Sequence, residues 1–316
     1  NTENITGTFK IDSGGDLTLG TGLIDLNGRK LSLASDEGKI IAKNDITLKS
    51  DRGIVIDGTF NVTGDINIDS DSNDILDGVD DLTFGDNSIL FADGGEINLD
   101  ATSGGIVGLG AITLKADKGI DIKDNFTSAG TTTIDSDVDN DGTGNFTIAE
   151  LKELKTGDNT LQITANDVDL SGTLNSGTAS TKLLVSDDGT IGLGDTAGDL
   201  SITGAELQNI TAKGLTIGKD TNGSITVDNL TAANSANITS KLELNALRTI
   251  VFSKNGSSFS PFDLSLNSKE GVTILQNLNI FGDVKIDSDS GANGAGNFKI
   301  GNTKSLTATN KNINLT

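Results

Sequence analysis

Apolar and polar residues alternate along almost the whole chain. Phe9-Lys10-Ile11, Leu17-Thr18-Leu19, Leu31-Ser32-Leu33 and Ile46-Thr47-Leu48 begin a series that Ile66-Asn67-Ile68, Ile120-Asp121-Ile122, Leu200-Ser201-Ile202 and Ile225-Thr226-Val227 continue. Such triplets carry the period-two mark of a β-strand with one buried face. Gly, Asp, Asn and Ser cluster between them and supply positive φ and side-chain-capped turns. Strands this short are not stable alone and need neighbours stacked on both sides.

Those neighbours are visible as an internal repeat. Ile46-Thr-Leu-Lys-Ser-Asp-Arg-Gly53 matches Ile112-Thr-Leu-Lys-Ala-Asp-Lys-Gly119 and Leu264-Ser-Leu-Asn-Ser-Lys-Glu-Gly271. In every copy an Ile-Asp-Ser-Asp tetrad starts 22 positions after the first residue, at Ile68, Ile134 and Ile286. Two tetrads run on into Gly144-Asn-Phe-Thr-Ile148 and Gly296-Asn-Phe-Lys-Ile300. The first two copies lie 66 positions apart, three times that offset. The pattern predicts coils of about 22 residues, each with three strands and three turns, and about fourteen coils in the chain. The expected fold is all-β, a right-handed parallel β-helix (β-solenoid) of short-strand coils, its hand taken from the crossover rule. A β-sandwich array is the alternative, disfavoured because long strands and Asn-Gly hairpins are scarce.

The array is expected to run over residues 1–316 without a separate globular domain, as part of a longer rod or filament. Residues 241–263, with Thr249-Ile-Val-Phe252 and the lone Pro261, break the pattern and predict an irregular coil, with a protruding contact loop as the alternative. Ala149-Glu-Leu-Lys-Glu-Leu-Lys155 has helical spacing and predicts one helical turn at a corner. The chain starts inside a repeat copy (Gly7 to Ser13) and stops on strand-like Ile313-Asn-Leu315, so uncapped solenoid ends are expected. Self-association, or continuation of the same chain, would cover them.

Composition narrows the chemistry. The 316 residues include no His, Cys, Met, Trp or Tyr. Without imidazole or thiolate there is no Ser–His–Asp triad, no cysteine nucleophile, no disulfide and no zinc or iron–sulfur site of the usual kind. Net charge is −22, the wrong sign for a phosphate-binding surface, so no nucleic acid partner is expected. No apolar run approaches the roughly 18 residues that span a bilayer, so no membrane span is expected. High charge also suits disordered chains, but regular alternation and a single Pro oppose that reading.

The candidate site is the acidic turn that follows each tetrad. Asp137, Asp139, Asp141 and Gly142 match the first half of an EF-hand-type calcium loop, with oxygen ligands on alternate residues and Gly at the sharp turn. Ile148 stands where the loop's bidentate Glu would be. The flanking copies offer Asp69 and Asp71, with Asn73 and Asp74, and Asp287 and Asp289. Calcium is therefore the candidate ligand, with a merely solvated acidic turn as the competing reading; no cofactor is required. Asn-X-Ser/Thr sequons occur at Asn4, Asn61, Asn125, Asn145, Asn209, Asn222, Asn229, Asn237 and Asn255. An enzyme would need paired carboxylates in a groove, as in carbohydrate-active β-helix enzymes. Here the carboxylates repeat with the coils instead of forming one unique constellation, so no enzymatic activity is expected.

The coils Ala111-Ile-Thr-Leu-Lys-Ala-Asp-Lys-Gly-Ile-Asp-Ile122, Gly198-Asp-Leu-Ser-Ile-Thr203 and Gly214-Leu-Thr-Ile-Gly-Lys-Asp-Thr-Asn-Gly223 resemble the shafts of filamentous haemagglutinin-like adhesins. The likeness extends over essentially the whole chain, through degenerate motifs. It implies a right-handed parallel β-helix exported by two-partner secretion, at the cell surface or extracellular. Host or neighbour-cell surface receptors would be its partners. The family's secretion domain carries Asn-Pro motifs; here Pro261 follows Ser260, so the resemblance is to shaft and not to export domain. The functional expectation is a non-enzymatic rod in a surface adhesin or extracellular filament, with a self-assembling filament or surface-layer subunit as the alternative.

Overall fold

The computed structural model describes residues 8–75, 80–253, 255–259 and 262–316. Gly7, the Asn4 sequon, Ser260 and Pro261 lie outside them. Strand makes up 54% of the chain and helix 2%, and parallel stacked sheets form a β-solenoid of about 12 turns. The chain divides into two compact units, Asn1–Thr160 with Leu170–Asn175, and Leu161–Asp169 with Ser176–Thr316.

In the first unit the triplets stack in parallel register on three faces. One column runs Ile54, Leu82, Ile106, Phe126, Leu154 and Leu174. A second runs Leu17, Ile40, Phe60, Leu90, Leu114 and Ile134. The third is Ile24, Leu48, Ile68, Leu99, Ile122 and Ile148. Nearly all of these side chains are fully buried, and each contributes about 1.5–3 kcal/mol. Phe84 and Phe126 approach with ring centroids 6.2 Å apart. Gly108 pairs with Phe84 on one side and Ser128 on the other, and a Cβ there would sit 2.6 Å from Ile112 Cγ1. Outside, polar residues form ladders, such as Asn98 donating to Asn67 at 3.0 Å.

The second unit repeats the scheme. Ile163, Leu183, Ile217, Leu244, Leu266, Ile286 and Leu315 stack on one face, and Ile191, Ile225, Ile250, Val272 and Phe298 on another. Within residues 241–263 the strands Ile238–Ala246, Thr249–Phe252 and Ser257–Ser258 pair in parallel with later coils. Phe252, Phe259 and Phe262 bury their rings together, with centroids 6.4 and 6.0 Å apart.

Four sequence expectations need correction. Coil length is not uniform: stacked partners are 20 positions apart at Leu114 and Ile134, 30 at Phe60 and Leu90, and 34 at Leu183 and Ile217. The excess lies in corners, which face solvent and tolerate insertion, and it reduces the expected fourteen turns to about 12. The 22-residue offset is not a coil either. Leu48 stacks on Ile68, Leu114 on Ile134 and Leu266 on Ile286, each 20 positions on, so the first residue of the triplet lies two positions before the stacking one. Nor do copies 66 apart share a face, since Leu48 belongs to the third column and Leu114 to the second. Finally, Ala149–Lys155 holds a turn, with the Lys152 amide donating to the Ala149 carbonyl at 3.1 Å, and then the strand Glu153–Lys155. Stacking Leu154 on Phe126 requires extended backbone there and overrides the local helical spacing.

What the repeat encodes is a corner. Ser50 donates from its hydroxyl to the Arg29 carbonyl at 2.7 Å, and Ser268 likewise to the carbonyls of Arg248 and Gly271. Each corner ends on a left-handed residue, Gly53, Gly119 or Gly271, with φ between 90° and 131°, a conformation that strains other residues. The only α-helix among the described residues is Gly204–Gln208. Its signal was Thr203-x-x-Glu206: the Thr203 hydroxyl accepts from the Glu206 amide at 3.2 Å, and the Glu206 carboxylate accepts from the Thr203 amide at 2.8 Å.

Candidate cation-binding corner

The strand Thr132–Asp135 enters the acidic turn and Asn145–Ile148 leaves it. The Val138 amide donates to the Ala116 carbonyl at 3.1 Å and ties the turn to the preceding corner. Asp137 is fully buried. Its carboxylate accepts from the backbone amides of Asp141 and Gly142, at 3.3 and 3.1 Å, and its carbonyl accepts from the Asn140 amide at 3.2 Å. Asn140 and Gly142 are left-handed, at φ 56° and 82°. The Ser136 hydroxyl donates to the Gly144 carbonyl at 3.2 Å, and a Cβ on Gly144 would sit 1.8 Å from the Ser136 carbonyl oxygen. The turn therefore closes on itself through the buried Asp137 carboxylate, the Asp141 carboxylate, which accepts from the Thr143 amide and hydroxyl at 3.0 and 2.6 Å, and the obligatory Gly144.

Asp139 and Asp141 are exposed, yet Asp137, Asp139 and Asp141 each present a carboxylate oxygen within 4.8 Å of the others. Among the described residues this is the only group of three acidic side chains that converges so closely. One coil earlier on the same corner lies Asp117, only 8% exposed. One of its oxygens accepts from the Gly94 amide at 2.6 Å, and the other has no hydrogen-bond partner. Burial raises the Asp117 pKa above its ordinary value, and the charges of Asp139, Asp93 and Asp141 push it the same way, against the lowering effect of the Gly94 bond. None of the ion pairs among the described residues involves Asp117, Asp139 or Asp141.

The other predicted positions separate into two kinds. Asp71 and Asp289 occupy the place of Asp137. The Asp71 and Asp289 carbonyls accept from the amides of Asp74 and Ala292 at 3.1 and 2.7 Å, and both donors are left-handed. Asp71 is fully buried and its carboxylate accepts from the Ser103 amide at 2.9 Å. Asp69 and Asp287 instead point outward from their strands; Asp69 pairs with Lys49 at 3.1 Å. Asp117 was missed because the residues that act on it, Gly94, Asp139 and Asp141, lie 22 to 24 positions away in sequence. Among the sequons, Asn222 is fully buried and accepts from the Lys219 amide, which takes it out of reach of modification.

Comparison with known proteins returns no match among family models, curated proteins or solved structures.

Proposed function

We propose that this chain is a non-enzymatic structural or adhesive element, a shaft segment of a surface adhesin or extracellular filament. The observation that carries the reading is the unbroken parallel pairing of coil on coil in both units. Each coil satisfies its neighbour's backbone and packs inward residues on like residues, an arrangement that bears load and lengthens by repetition. The resemblance of the coils to filamentous haemagglutinin-like shafts supports the same role. A binding function at host or neighbouring cells would belong to the outward polar ladders, whose side chains the core does not use. No helix among the described residues is long and apolar enough to cross a membrane.

End-to-end stacking of copies is the second reading. Electron microscopy of the purified chain and mass spectrometry of the native source decide between the readings. A much longer covalent chain supports the adhesin shaft, and fibrils growing from units of this size support self-assembly. A monodisperse monomer that turns over a polysaccharide or other substrate would overturn both.

A further inference from the structure

Four Asn-Gly steps occur in the chain, at Asn27-Gly28, Asn222-Gly223, Asn255-Gly256 and Asn293-Gly294. At such a step the backbone nitrogen of the glycine can reach the asparagine side-chain carbonyl carbon, because no Cβ obstructs the approach. Attack requires that nitrogen to give up its hydrogen, so an amide already donating to a partner is held back. Three of the four are held in this way. The Gly28 amide donates to the Asp51 carboxylate, that of Gly223 to the Gly189 carbonyl at 2.8 Å, and that of Gly294 to the Asp289 carboxylate at 2.8 Å. Gly256 differs: among the described residues its amide has no acceptor. Asn255 and Gly256 are both exposed, so water reaches the step.

We infer that Asn255 is a covalent modification site, at which the free Gly256 amide converts the side chain from amide to carboxylate. The Gly256 nitrogen bonds to the Asn255 side-chain carbonyl carbon and its proton passes to solvent. The bond from that carbon to the side-chain nitrogen breaks, and ammonia leaves. Water then opens the cyclic imide at either carbonyl, giving aspartate or isoaspartate, with no oxidant or cofactor consumed. The position gives the change a consequence. Asn255 anchors its corner to the preceding coil through Asp228, its backbone amide donating to one carboxylate oxygen at 3.1 Å and its side-chain amide to the other at 2.9 Å. Burial raises the Asp228 pKa, but hydrogen bonds from Ser253, Asn255 and Asn229 outweigh that and hold it below the ordinary value. Conversion replaces the side-chain donor with a second negative charge facing Asp228, and like charges in contact repel. Isoaspartate also adds a methylene to the main chain. The corner's span is fixed on either side, by the Ser253 amide on the Val227 carbonyl and the Ser258 amide on the Leu230 carbonyl, both at 2.9 Å. The site does not depend on the shaft reading.

The test ages the whole chain in mildly alkaline buffer, below its melting temperature, and maps the products by peptide mass spectrometry. Asn255 should convert at least about fivefold faster than Asn27, Asn222 or Asn293, the factor that one hydrogen bond supplies. Gly256→Ala should nearly abolish conversion at Asn255. It should still fold, because a Cβ there meets nothing nearer than the Asn277 carbonyl oxygen at 4.0 Å. Asn255→Asp, which sets the product's carboxylate against Asp228, should speed hydrogen exchange at the Ser253 and Ser258 amides. Equal conversion at all four steps would overturn the assignment, as would conversion that Gly256→Ala leaves unchanged. So would an intact Asn255 in a chain whose Asn27 or Asn293 has converted. Unchanged exchange in Asn255→Asp would overturn the effect on the corner.

Discussion

The turns at residues 137–144 and 289–296 have the same backbone and different charge. Asp289 accepts from the amides of Asn293 and Gly294 at 3.2 and 2.8 Å, as Asp137 does from those of Asp141 and Gly142. Left-handed residues fall at Ala292 and Gly294, as at Asn140 and Gly142. A Cβ on Gly296 would lie 1.7 Å from the Ser288 carbonyl oxygen, repeating the crowding at Gly144. Yet Asp139 is replaced by Gly291 and Asp141 by Asn293. Even Ala292 accepts a left-handed φ of 50°, at a cost of about 1 kcal/mol. The shape of the turn thus belongs to its first Asp, its basal Gly and the residue that caps it, since the Asp141 side chain accepts from the Thr143 amide at 3.0 Å as the Asn293 side chain does from the Ala295 amide at 2.8 Å; only the charge of Asp139 and Asp141 is separable from it. The surroundings differ too: Phe146 is fully buried, whereas Phe298 in the later coil is half-exposed.

Matched substitutions in the two turns test this division, read by amide-exchange protection of Asn145–Ile148 and Asn297–Ile300, which reports local stability in each. The largest effect is expected from Phe146→Ala, about 4 kcal/mol for a buried ring, against about 1 kcal/mol for Phe298→Ala. Equal losses would mean that the later coil is packed as tightly as the earlier one. Gly144→Ala should cost about 3 kcal/mol by forcing apart two backbones fixed by stacking on both sides, and Gly296→Ala less. Asp137→Ala should cost about 2 kcal/mol, since it strands the Asp141 and Gly142 amides at a buried corner; the more exposed Asp289→Ala should cost about half that.

A smaller effect lies in pH. The raised pKa of Asp117, caused first by burial and then by Asp139, Asp93 and Asp141, means that the folded chain holds this proton more tightly than the unfolded chain. Between the ordinary Asp pKa and the raised one the folded state binds more protons, so stability falls as pH rises through that interval. In chelator, Asp117→Asn should remove this acid-side slope, measured as melting temperature against pH; an unchanged slope would place its origin elsewhere. The smallest effect is expected from Asp139→Gly with Asp141→Asn in chelator, within about 0.5 kcal/mol of wild type. That null change, beside the loss from Asp137→Ala, is what separates fold from site.

Much of this was legible in the residues. The Ile-Asp-Ser-Asp tetrads do mark one recurrent turn, because a side chain that caps its own backbone acts over four or five positions and needs no distant partner. Inward Ile, Leu and Phe were legible from alternation, and three strands per coil from triplet spacing. The role of Asp69 was not: period two would put it on the same face as Asp71, but the strand ends at Asp69, which faces outward to Lys49, and the corner then turns Asp71 inward. The capping box at Thr203 lies in the sequence as Thr203-x-x-Glu206, but the alternation of the surrounding strands hides it.

The sequence by itself determined which residues face inward and where the chain turns corners, since both depend on neighbours within a few positions. The tertiary structure decided which triplet stacks on which. Period-two alternation is unchanged by a shift of two residues, so offsets of 20 and 22 bury the same side chains, and only pairing against the next coil selects 20. The same pairing brings Asp117 beside Asp139 and Asp141. That juxtaposition of charge arises from coils lying one above the other, and no local pattern in the chain encodes it.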